Sequence, residues 1–260
     1  MTVPSVEIRR GSDRARQNYG WLDSRQSFPF AGNFDLAAHA HGLLVVNNED
    51  IVDAGSGFDT HQHRDAEIVT WVLSGSLVHQ DSEGHSGVVF PGLAQRMSAG
   101  RGIWHSERND SRRVDGARVA EPVHVVQMWI PPDEFGIEPS YQELPIDAEL
   151  DSGRLVTVAS GLPRHRHHAA IGLHNRHAGL HAARLQTGQS VTVPDAPYVH
   201  VFIARGSGDV EGFGRLGQGD SLRLTGIGGQ RYTAAEPTEV LIWEMHAALR
   251  KPVDGHHGSG

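Results

Sequence analysis

The stretch FDTHQHRDAEIVTW (58–71) carries two histidines one residue apart, His61 and His63. On a β-strand, residues i and i+2 face the same side. Both imidazoles can then reach one ion while Gln62 points away. The spacing alone is weak, because the chain holds 18 histidines and the pattern recurs at His39/His41 and His165/His167. What sets the first pair apart is a second source of ligands. MSAGRGIWHSERND (97–110) supplies His105 and Glu107, again separated by one residue. Two neighbouring strands, each offering such a pair, place three imidazoles and a carboxylate around one point. That set suits a first-row divalent metal with one or two positions left for water, dioxygen or substrate. Three neutral imidazoles and one carboxylate leave such an ion with net positive charge, which favours a deprotonated substrate hydroxyl.

The elements that must position these residues are short strands. Runs such as GLLVVN (42–47), EIVTWVLSGSLVHQD (67–81), HVVQMWIPP (124–132), GRLVTVAS (153–160) and YVHVFIARGSGDV (198–210) alternate with Gly/Pro/Asp/Ser turns. This punctuation is typical of sandwiches and barrels, and nothing alternates strand with long helix. A short helix fits near 140–150. The fold class is all-β. IVTWVLSGSLVHQ (68–80) is echoed by VHVFIARGSGDVE (199–211), with turns at Gly75 and Gly206, so one sheet module is used twice. The expected division is a metal-binding module over 1–135, a connector over 136–149 that overlaps the proline-rich PPDEFGIEPSYQELP (131–145), a second module over 150–248, and a disordered tail over 249–260. The second module carries no matching ligands. Thr192 and Pro194 align with His61 and His63, and Tyr232 and Ala234 with His105 and Glu107.

The totals exclude several functions. With no cysteine there are no disulfides, thiolate ligands or cysteine nucleophile, which fits a reducing compartment. The net charge of -8 is opposite to that of a nucleic-acid binder. No apolar run approaches the roughly 18 residues of a membrane span, and the first residues lack a secretory signal's apolar core. A cytoplasmic protein is expected. GFGRLG (212–217) matches a dinucleotide fingerprint in letters, but QGDSLRL follows where a helix should open, so it reads as a loop between strands. RHRHHAAIGLHNRHAGLH (164–181) holds six histidines and no carboxylate, and reads as a solvated segment. His39, His41, His79, His85, His200 and His246 read as hydrogen-bonded strand or turn residues. His124 reads as an edge-strand histidine or a hydrogen-bond partner of a ligand imidazole. Arg101 and Trp104 read as residues of the pocket mouth or, equally, a turn charge and a core aromatic.

Taken together, GWLDSRQSFPF (20–30), LLVVNNEDIVDAGSGFDTHQHRDAEIVTWVLSGSLVHQDSEG (43–84), MSAGRGIWHSE (97–107) and VVQMWIPP (125–132) resemble the pirin family of the cupin superfamily. The likeness is strong over the first half and general over the second. It implies a bicupin, two jelly-roll-like β-barrels in one chain. It also implies that His61, His63, His105 and Glu107 hold one divalent ion in the first barrel. Iron(II) is the expected ion, while manganese, cobalt, nickel, copper and zinc suit the same donors. Gln62 stands where the family commonly has proline. Because its side chain faces away, it should alter strand stiffness and leave the site intact. Glu67 lies near the glutamate ligand of other cupins and reads here as a supporting residue.

Bacterial proteins of this kind are associated with quercetin 2,3-dioxygenase activity, the oxygen-dependent opening of a flavonol's central ring with release of carbon monoxide. The resemblance then implies a phenolic or enolic substrate, dioxygen as co-substrate, and Glu107 as the catalytic residue that accepts the 3-hydroxyl proton. The alternative is a non-catalytic metal-binding regulator acting through a protein partner. A third option is a cupin with a purely structural metal. The sequence leaves oligomeric state open.

Overall fold

The structure, a computed structural model, describes residues 3–28, 36–110 and 120–249. Almost every regular element in it is a strand. The helix expected near 140–150 is the single turn Asp147–Leu150. Among the described residues no helix is long and apolar enough to cross a membrane.

Four sheets form two modules. In the first, a seven-stranded sheet runs Ser140–Pro145, Leu93–Ser98, Glu67–Ser74, Val123–Ile130, Val46–Val52, Leu22–Gln26, Ala15–Asn18. It faces a four-stranded sheet in the order Gly57–His63, Ile103–Arg108, Leu77–Asp81, Ser86–Val89. The second module repeats the plan. Its larger sheet runs Ser5–Arg9, Ser221–Thr225, Tyr198–Arg205, Thr238–Met245, Ala178–Leu185, Val156–Ser160, Ile171–Gly172. Its smaller one runs Ser190–Thr192, Arg231–Ala234, Ser207–Val210, Gly214–Gly217. The internal echo is therefore a true structural repeat, and the all-β, two-module expectation holds. GFGRLG is a turn and an edge strand of the second small sheet, as read from the sequence.

The repeat extends to its turns. Gly75 and Gly206 both have positive φ, 76° and 71°. A Cβ on Gly75 would lie 3.0 Å from the carbonyl oxygen of Pro122, and one on Gly206 would lie 2.3 Å from that of Pro237. Each glycine is required because the hairpin crosses directly over the entry to a central strand.

Strand Glu67–Ser74 is buried at every position except its last residue. Alternation explains this, because both faces of its sheet are covered. Val69, Trp71 and Leu73 enter a core shared with Val158, Leu180, Ala182, Phe202 and Trp243 of the other module. Val72 faces inward with Leu77 and Val89. The two large sheets thus pack against each other across the largest core. Polar ties close its edges: Trp71 Nε1 donates to Glu239 (2.6 Å) and the amide of His174 donates to Glu67 (2.9 Å).

The expected domain boundaries need two corrections. Ser5–Arg9, placed by sequence in the first module, pairs with Ser221–Thr225 of the second. Ser140–Pro145, read as connector, pairs with Leu93–Ser98 of the first. Each segment pairs along an edge of a large sheet, where backbone donors and acceptors would otherwise lack strand partners. Leu249, assigned to the tail, packs against the inter-module core and its amide donates to the Gly42 carbonyl. The rest of the expected tail lies outside the described residues.

His41 sits at the same interface, with Nε2 donating to the Val199 carbonyl at 3.0 Å. Burial, then the nearby Arg223 charge, pushes its pKa down from 6.5 to about 4. A base whose folded pKa is depressed adds stability above its unfolded pKa, and that stability is lost as pH falls from 6.5 toward 4. At pH 5 the loss is about 2 kcal/mol at 1.36 kcal/mol per unit. Thermal unfolding should show a smaller drop between pH 7 and 5 in His41→Gln than in the parent. An equal drop would assign the acid sensitivity to other groups.

Candidate metal centre

Strand Ile103–Arg108 lies between Gly57–His63 and Leu77–Asp81. Its register sets His105 opposite His61 and Ile103 opposite His63. Burial alternates along it: Ile103, His105 and Glu107 are buried, while Trp104 is exposed. On the neighbouring strand Gln62 is exposed between the half-buried His61 and His63. The alternation expected from the i, i+2 spacing is thus what the strands adopt. A β-bulge falls between His105 and Glu107, and Gly57 pairs with Arg108 just beyond it. A Cβ on Gly57 would lie 2.3 Å from the carbonyl oxygen of Glu107, so the strands approach this closely only over glycine.

The ring centroids of His61, His63 and His105 are 4.4 to 5.0 Å apart. Ligand atoms of all three lie within 4.8 Å of one another. Glu107 meets the same limit with His105 and His79, making a second, overlapping triplet. The carboxylate therefore borders the histidine cluster on the His105 side. Its orientation is fixed by two donors. Thr70 Oγ1 donates to Oε1 (3.2 Å) and Gln127 Nε2 donates to Oε2 (2.7 Å). Gln127 is itself oriented, because Trp129 Nε1 donates to its carbonyl oxygen at 3.0 Å.

The imidazoles fit a metal. His61 Nδ1 lies 2.7 Å from the Asp59 carbonyl, which can only accept, so Nδ1 carries the proton and Nε2 keeps its lone pair. His63 Nε2 and both ring nitrogens of His105 are buried without a hydrogen-bond partner. Buried polar nitrogens are costly when unpaired, so one from each of these two rings, converging with His61, points to an ion as the natural partner. Burial, followed by the neighbouring imidazoles, pushes the pKa of His63 and of His105 down to about 3. Both rings are then neutral, the form that binds metal.

His61, His63 and Glu107 form one wall of a cavity of about 300 Å³. Tyr19, Leu22, Phe58 and Trp129 give it an apolar side. Asp50 also lines it, its carboxyl pushed up to about 6 chiefly by burial, with the Glu107 charge adding to the effect. Thr70, His79, Asp50 and Gln127 were missed as site residues in the sequence. They occupy inward positions of strands read correctly, but only strand pairing shows which inward positions meet.

The other sequence candidates fall elsewhere. His124 pairs with Glu49 at 2.8 Å and makes no bond to a ligand imidazole. Arg101 pairs with Glu138 on the surface, and neither it nor Trp104 lines the cavity. Glu67 holds the His174 amide between modules, the supporting role expected for it. In the second module Tyr232 and Ala234 face inward as aligned. Val191 and Val193, not Thr192 and Pro194, are the inward residues of the matching strand, and Val191 pairs with Tyr232 as His61 does with His105.

A Pirin family model matches residues 9–130. A Mycobacterium tuberculosis protein named "Putative quercetin 2,3-dioxygenase" is 55% identical over 245 residues, covering 94% of this chain and 97% of that protein. The Escherichia coli protein named quercetin 2,3-dioxygenase is 43% identical over 143 residues, 55% of this chain and 59% of its own length. The crystal structure of the bacterial pirin YhhW from Escherichia coli in complex with nickel(II) superposes with a TM-score of 0.79 at 29% identity, covering 94% of this chain and all of that one.

Removing the Glu107 supports tests the centre without touching a ligand. Gln127→Leu should weaken divalent-metal affinity by about 10- to 100-fold in a calorimetric titration. An unchanged Kd would show that the orientation of Glu107 does not matter to binding.

Proposed function

Because the chain belongs to the pirin family, we propose that it is a metal-dependent dioxygenase acting on a phenolic or enolic compound, with flavonols such as quercetin as the substrate class. His61, His63, His105 and Glu107 hold one first-row divalent ion, iron(II) in this reading. The observation that carries the proposal is the convergence of His61, His63 and His105 beside a partly aromatic cavity, with ring nitrogens of His63 and His105 buried and unpaired. The names of the relatives support the reaction class. The nickel complex of the related pirin supports a divalent ion, and the nitrogen/oxygen donor set accepts iron as readily.

When bound, the ion supplies Lewis acidity toward a substrate hydroxyl and a redox partner for dioxygen. The chain's residues do the rest. Phe58 and Trp129 flank the ligands, Phe58 near His61 and Trp129 edge-on to His63, and offer flat apolar surface to a planar aromatic ring. Glu107 is the proton acceptor for the enolic hydroxyl, held at that angle by Thr70 and Gln127. The aromatic side chains exclude water from the electron-rich enolate, so that dioxygen meets it in a dry site.

Metal analysis of the purified protein followed by oxygen uptake with quercetin tests the proposal. Uptake should depend on bound metal and fall to the metal-free background in His105→Ala and Glu107→Ala. Full metal loading without uptake would favour the binding-protein alternative, and activity retained in both variants would end the proposed mechanism.

A further inference from the structure

The histidine-rich segment 164–181 was expected to be solvated, and part of it is. His167 and His168 are exposed. His181 is instead buried midway along strand Ala178–Leu185, and His165 turns back toward it with ring centroids 5.3 Å apart. The carboxylate absent from the segment comes from a distant strand: Glu244, 2% exposed, places Oε2 3.1 Å from His181 Nε2. Ligand atoms of His165, His181 and Glu244 lie within 4.8 Å of one another. His246 Nε2 is 2.6 Å from the other carboxylate oxygen.

The structural repeat gives this cluster its place. Ile68 pairs with Trp129, and its counterpart Val199 pairs with Glu244. Trp129 then pairs with Val46, and Glu244 with Gly179. Glu244 therefore occupies the position of Trp129, and His181 that of Asn48. Both of those residues line the cavity of the first module. The second module has lost its ligands on the small sheet to Val191, Val193 and Tyr232, yet carries metal-binding side chains on the opposite wall, on the large sheet.

We propose that the second module holds its own divalent metal ion, bound by His165, His181 and Glu244 with His246 at the rim. The surroundings are built for it. Ser160 donates to the Ala178 carbonyl, so its oxygen accepts from His165 Nδ1 at 3.0 Å. That leaves a lone pair on His165 Nε2, and Arg164 Nε donates to it at 3.3 Å. Thr157 Oγ1 stands 3.2 Å from His181 Nδ1 and can accept its proton once Nε2 turns to a metal. Hydroxyls behind both imidazoles fix ring orientation as in known metal centres. Burial holds His181 down to about 3 and lowers His165 and His246, so the rings are neutral.

Arg164 reaches Glu244, His165 and His246 together. Its guanidinium is the chain's own cation resting on the proposed donors. Half-exposed on a single 3-10 turn, it can swing into solvent when an ion replaces it.

Cobalt(II) binding to the full chain tests this, with His256 and His257 of the tail changed to alanine to remove adventitious ligands. Equilibrium dialysis with metal analysis should give two ions per chain, one in His181→Ala, one in Glu244→Gln, one in His105→Ala, and none in His105→Ala/His181→Ala. Glu244→Gln is nearly isosteric, so it reports on the site even if His181→Ala folds poorly. Arg164→Gln should keep two ions and tighten the second by about tenfold, the competing cation being gone. One ion in the parent that persists in both His181→Ala and Glu244→Gln, or two retained in both variants, would overturn the proposal. His105→Ala alone addresses the first centre, so failure of either site is read separately.

Discussion

The structure depends on one strand pairing, that of Gly57–His63 with Ile103–Arg108. It sets His105 directly across from His61 and turns three imidazoles to one side. His63 and His105 are desolvated by the same packing that brings them there, and ring nitrogens of both are left with no protein partner. Such an arrangement is expensive without an ion and stable with one. Close approach at Gly57 and the bulge before Glu107 are the local conditions that let the pairing continue past His105.

Around this pairing the fold supplies rigidity. The large sheet behind the cavity is buried on both faces, one against the small sheet and the other against the second module. Thr70, Gln127 and Trp129 project from that sheet toward the cavity, so the groups that orient Glu107 stand on the most constrained strands of the molecule. Pairing of Ser5–Arg9 with the second module ties the two together, and Ser140–Pro145 covers a sheet edge of the first. The second half is thus part of the scaffold of the first site.

The two modules show how one plan accepts different chemistry. At the ligand positions of the small sheet the first has histidines, and the second has valine and tyrosine packed into an apolar core. At the opposite wall the first has Asn48 and Trp129, and the second His181 and Glu244. Polar clusters in both depend on inward-facing strand positions, where burial makes an unpaired donor costly and its partner specific.

What the sequence determined by itself is what short-range periodicity controls. Alternation along a strand depends only on backbone geometry, so His61 with His63, and His105 with Glu107, could be placed on common faces from spacing alone. Turn glycines and apolar runs likewise announced an all-β chain and its repeat. Tertiary structure decided everything that depends on register between distant strands. It brought Thr70 and Gln127 to Glu107, set His79 beside His105, and carried His181 to Glu244 across 63 positions of chain. It also moved Ser5–Arg9 into the sheet of the opposite half and joined Ser140–Pro145, read as connector, to the sheet of the first. The physical reason is that alternation is a property of one strand, whereas register is settled by the burial and hydrogen bonding of whole sheets.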